Sequence, residues 1–104
     1  MSQQLAVIDI PENFYEVREL VRTVYLCIEN KEYRIEISHP YTNPKTPYVA
    51  KSFIKSEIYN DKPGEPHIKL EAFLVDDRMP WVAERSPEEA LNTAIRFLDE
   101  RHRK

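Results

Sequence analysis

The chain has a single glycine, Gly64, in 104 residues, and that scarcity excludes a great deal of chemistry. Phosphate-cradling loops of the GxGxxG or Walker A type, and the nucleophile elbow GxSxG, all require two or more glycines. None can be built here. A single cysteine, Cys27, rules out an internal disulfide and suits a reducing compartment. The three histidines stand at 39, 67 and 102, with no metal-ligand spacing among them. No apolar run approaches the roughly 20 residues of a membrane-spanning helix. The first nine residues have no basic start, and Asp9 stops their apolar stretch, unlike a secretory leader. The expectation is a cytoplasmic protein with no metal, no cofactor and no membrane contact.

What is present points to a folded domain. Hydrophobic residues make up 41% and charged residues 32%, with six tyrosines, four phenylalanines and one tryptophan. Such a chain buries enough apolar surface to order itself, and its length suits one two-layer core. Residues 1–104 are therefore expected to form a single α+β domain, with 1–10 loosely ordered. A formal net charge of -3 argues against a protein that coats duplex nucleic acid.

Periodicity supplies the elements. Pro11, Glu12 and Glu16 suit a helix start, and Phe14, Val17 and Val21 share a helical face, which predicts a short helix over 11–20. Val24, Leu26 and Ile28 alternate, as do Tyr33, Ile35 and Ile37. A turn at Asn30-Lys31 makes them a hairpin pairing Ile28 with Tyr33, Leu26 with Ile35 and Val24 with Ile37. Tyr25, Cys27, Arg34 and Glu36 fall on the other face. A third strand is expected over 48–59, with Ile54 and Ile58 opposite Lys51, Phe53, Lys55, Glu57 and Tyr59. A fourth is expected over 67–76, with Ile68, Leu70, Ala72 and Leu74 opposite His67, Lys69, Glu71 and Phe73. Ser86-Pro87-Glu88-Glu89 is a capping box that opens a long final helix. Its stripe of Ala90, Leu91, Ala94, Ile95, Phe97 and Leu98 should lie on a sheet, with Trp81 and Val82 closing one edge of the core. The fold expected is thus α+β: an antiparallel sheet of about four strands, a long C-terminal helix packed on one face, and a short N-terminal helix.

The stretch most like a contact surface runs from His39 to Ser56. It holds three prolines and two tyrosines and contains no acidic residue. Prolines keep a loop extended and cheap to order on binding, and aromatic residues are enriched at protein interfaces. The candidate partner-binding residues are His39, Tyr41, Asn43, Lys45, Tyr48, Lys51, Phe53 and Lys55. Alternation puts Lys51, Phe53 and Lys55 on one strand face, where rings and ammonium groups could also grip a single-stranded nucleic acid. Catalytic readings are weaker. Adjacent strand residues Asp76 and Asp77 point to opposite faces, and no histidine is tied to Cys27 by sequence. The expected function is a non-catalytic protein-binding or adaptor domain, acting through the 39–59 loop-strand and the exposed sheet face on a protein partner or a second copy of itself, with single-stranded DNA or RNA binding on the same aromatic and lysine surface as the alternative.

Overall fold

The computed structural model describes residues 12–13, 17–40, 45–59, 63–64 and 69–103. Among the described residues five strands precede one helix: β1 (Arg18–Ile28), β2 (Lys31–Pro40), β3 (Tyr48–Tyr59), β4 (Lys69–Val75), β5 (Val82–Glu84) and α1 (Pro87–His102). The sheet is antiparallel in the order β1-β2-β3-β4, and β5 pairs with the start of β3 where β4 has ended. This is the α+β sheet and C-terminal helix that the periodicity predicted, with β5 as an addition.

The hairpin corrects its expected register. Glu29 and Asn30 take the left-handed conformation, with φ of 47° and 70°, so the two-residue turn sits one position earlier than Asn30-Lys31. Positive φ at both central positions is the type I′ geometry that matches strand twist. Tyr33 therefore faces Leu26, Ile35 faces Val24 and Ile37 faces Arg22. A slide of two residues preserves every side chain's face, so the predicted inner and outer sets survive. The earlier turn also brings the Glu29 carboxylate within 3.4 Å of His102 Nδ1 on α1.

The helix expected over 11–20 is contradicted where it can be compared. Arg18, Glu19 and Leu20 are strand residues opposite Pro40, His39 and Ser38, and Val21 sits at a bulge in the ladder. A ladder of hydrogen bonds to β2 outweighs a weak local helical pattern. Residues 11 and 14–16, the segment 1–10 and residues 67–68 of the expected fourth strand lie outside the described residues.

α1 begins as its cap predicts. Ser86 has extended dihedrals and its Oγ accepts the Glu89 N–H at 3.1 Å, with Pro87 in the first turn. The Glu88 carboxyl is held below its usual range by its own backbone N–H and by Arg22, as befits a helix N-terminus. Ser86→Ala should cost about 1 kcal/mol and lower the melting temperature by roughly 4–8 °C, measured by thermal denaturation.

Ala90, Ala94 and Leu98, spaced by four, are the helix residues buried against Tyr33, Ile35, Ile37, Ala50 and Val82. The two alanines let the helix lie close to the sheet. The buried stripe is narrower than expected, since Ile95 and Phe97 are each 37% exposed. Val82 closes the core, whereas Trp81 does not: it is 77% exposed. A helix about 10 Å wide spans roughly two strands at about 4.8 Å spacing. α1 lies on β3, β5, β2 and β1. Ile58 of β3 and Leu70 and Leu74 of β4, on the same side, remain exposed.

The C-terminal end of α1 is tied down by polar contacts. Arg101 Nη1 donates to Asp76 Oδ2 at 2.8 Å, and the Arg78 N–H donates to Asp76 Oδ1 at 3.2 Å. Burial, the largest influence on Arg101, would lower its pKa, but the bonds to Asp76 and Tyr33 outweigh it and hold it above its ordinary value. The Tyr33 hydroxyl and His102 Nε2 are 2.7 Å apart.

Candidate protein-binding face

The face of the sheet opposite α1 is where β1 to β4 bring chemistry together. Cross-strand pairing sets Tyr25 beside Arg34, Arg34 beside Phe53 and Phe53 beside Val75. The Arg34 guanidinium lies 4.6 Å from the Phe53 ring centroid and 5.0 Å from that of Phe73. Tyr25 meets Phe73 edge-on at 5.7 Å, so side chains from all four long strands form one cluster. Arg34 Nε is 3.0 Å from Glu36 Oε2, close enough for an ion pair but off the line of N–H donation. Its charge is thus shared between a carboxylate and two rings, a strong arrangement when partly desolvated.

Beside this cluster Lys55 and Lys69 are paired with carboxylates within the chain. Lys55 Nζ is 2.8 Å from both Glu32 and Glu71, which raise its pKa above the ordinary lysine value. Lys55 in turn holds the Glu71 carboxyl below its usual range. Lys69 bonds Glu57 at 2.9 Å. The Tyr59 hydroxyl and Lys69 together keep Glu57 low.

At the other end of the face Trp81 stands between two shallow clefts. One of about 320 Å³ is lined by Arg18, Ser38, Val49 and Lys51. The other, about 200 Å³, lies over Ala50, Ser52, Val75, Asp76 and Met79. Arg18 is positioned by Ser38, with Nε 3.1 Å from Oγ.

The predicted site residues are divided by this arrangement. Lys51, Phe53 and Lys55 share the open face, as alternation required. His39 and Tyr48 stack at 4.2 Å, and Tyr48 packs against the core rather than beside those three. Lys45 is exposed in the turn before β3, and Tyr41 and Asn43 lie outside the described residues. Tyr25, Arg34, Phe73, Val75 and Trp81 were not among the predicted site residues. Alternation had put Tyr25, Arg34 and Phe73 on outward faces, but only strand order makes them neighbours. Nothing local marked Trp81. Of the carboxylates at the β4 terminus, Asp76 is buried and committed to Arg101, and Asp77 is exposed.

Among the described residues no helix is long and apolar enough to cross a membrane. No protein-family model, curated protein or solved structure matches the chain.

Proposed function

We propose that this chain is a non-catalytic protein-binding domain that docks through the open face of its sheet and works in the cytoplasm. The observation that carries the reading is the Tyr25–Arg34–Phe53–Phe73 cluster. It offers arginine and aromatic side chains, the types that dominate interface energetics, on a face no element of the described chain covers. The rim pairs Lys55 with Glu32 and Glu71, and Lys69 with Glu57. A rim of two lysines held by three glutamates favours an apolar and aromatic protein surface over a polyanion, because a polyanion would gain little charge attraction from it.

A second reading, single-stranded nucleic acid, draws on one observation: the exposed Trp81 indole beside Lys51 and Arg18. A ring for stacking and cations for phosphate are what such binding requires. Against it, Lys55 is held by two carboxylates and the Arg34 cation lies over the Phe53 ring that a base would stack on.

Affinity capture from the native host, with and without nuclease, tests both. The tagged domain should retain a partner after nuclease treatment. Tyr25→Ala with Phe53→Ala should weaken that capture by about 2 kcal/mol, roughly thirtyfold, with an unchanged circular dichroism spectrum. Capture that ignores this double variant overturns the protein-binding reading. Retention on a single-stranded oligonucleotide that falls steeply with salt and is lost in Trp81→Ala with Lys51→Glu would favour the second.

A further inference from the structure

The two long edges of this sheet are not equally defended. On β1 the ladder is interrupted between Leu20 and Arg22, and Arg22 is bound to Glu88 of α1 at 2.9 Å. Bulges and charges are among the devices that stop an edge strand from pairing with another chain. β4 lacks the bulge. All seven of its residues pair with β3 without a register shift. It contains no proline, and Leu70, Leu74 and Val75 are 57%, 48% and 63% exposed. Its two charges, Lys69 and Glu71, are drawn onto Glu57 and Lys55 of β3, and a regular edge with its charges so engaged and its leucines exposed is a ready template for a further strand.

We infer that β4 pairs antiparallel with β4 of a second copy, about a two-fold axis at Ala72, to form one sheet continuous across two chains. The side chains select both the partner and the register. Centring on Ala72 places Leu70 opposite Leu74 of the second copy, twice, and Ala72 opposite Ala72. Within each chain Leu70 already pairs with Ile58 and Leu74 with Ile54. The join therefore creates two apolar rows, Ile58–Leu70–Leu74–Ile54, each four strands wide. On the other face Glu71 meets Phe73 and Lys69 meets Val75, so no like charges are opposed. Neighbouring registers are worse. Centring on Glu71 sets that carboxylate against itself. Centring on Phe73 sets Leu70 against Asp76, which is buried and bonded to Arg101.

The pairing is isologous and uses both β4 edges, so assembly closes at two chains. It lies on the sheet's edge and does not depend on the binding role of the open face. Tyr25 and Phe53, which test that role, are on β1 and β3.

Sedimentation equilibrium from micromolar to millimolar protein should show a concentration-dependent species of twice the 12.4 kDa chain mass. Leu70→Lys with Leu74→Lys brings like charges together across the join and should weaken the dimer at least tenfold. Both side chains are exposed in the single chain, so the circular dichroism spectrum should be retained. Residues directly opposite in an antiparallel ladder have Cα atoms about 4.5–5.5 Å apart, within disulfide reach. Ala72→Cys in a Cys27→Ser background should therefore cross-link to itself under mild oxidation, whereas Leu20→Cys in the same background should not. A wild-type chain that stays at 12.4 kDa throughout overturns the proposal. So does a dimer that survives the lysine pair, or one that fails to cross-link through position 72.

Discussion

Replacing Arg101 with alanine should lower the free energy of unfolding by about 3 kcal/mol, toward the lower end of the range for breaking a buried ion pair. The Asp76 side chain is fully buried, and its Oδ2 accepts from Arg101 at 2.8 Å. Without that partner the carboxylate keeps, among the described residues, the Arg78 N–H at 3.2 Å. Arg101 is 18% exposed, so water that enters behind alanine would relieve part of the loss, which sets the estimate near 3 rather than 5 kcal/mol. Against the roughly 5–15 kcal/mol of a typical domain this is a large fraction. Urea titration of both proteins measures it directly. The double variant Arg101→Met with Asp76→Asn should recover most of the loss, because no charge is then left stranded. A loss under 1 kcal/mol in Arg101→Ala would mean that the pair contributes no more than a surface ion pair.

Leu98→Ala should have a similar effect for a different reason. Leu98 has no exposed surface and is the last and largest of the three helix residues buried against the sheet. Ala90 and Ala94, the other two, already bring the helix close, so leucine supplies most of the side-chain volume from the helix to the core. Removing it should cost about 3 kcal/mol, as lost transfer energy plus the cavity left behind. Phe97→Ala removes a larger side chain from the next position. At 37% exposure its loss should stay well below that of Leu98→Ala. Urea titration separates these outcomes. Equal losses at 97 and 98 would show that the helix buries a wider face than its contacts indicate.

The contrast between those neighbouring residues illustrates how much of the fold could be read locally. The full stripe from Ala90 to Leu98 identified a helix and its inner side. How much of that stripe is covered depends on the helix's angle and closeness to the sheet. The cap at Ser86 was legible because its hydrogen bonds join residues three apart. β3 was legible to its ends, Tyr48 and Tyr59, since alternation over twelve residues is a long local pattern. The start of β1 was not. A few residues from Pro11 to Leu20 satisfy a helical template, and strand pairing with Ser38–Pro40 overrode it.

The candidate site shows the same division. Alternation put Lys51, Phe53 and Lys55 together, and they are together. It carried no information on their charge partners: Glu32 comes from β2 and Glu71 from β4, and together they pair Lys55 within the chain. The His39–Tyr48 stack likewise joins two residues that the sequence separates by a proline-rich loop.

The amino-acid sequence alone determined the kind of fold, the inward and outward sets of the strand residues it assigned from Val24 to Leu74, the helix start, and the lack of glycine-rich motifs. Those properties follow from side-chain period, dihedral preference and hydrogen bonds between near neighbours. The tertiary structure alone decided the hairpin register, the place of β5, the exposure of Trp81, the Arg34 cluster and the unequal defence of the two sheet edges. Each of these depends on which strand lies beside which, and that is settled by contacts between distant residues competing for one core.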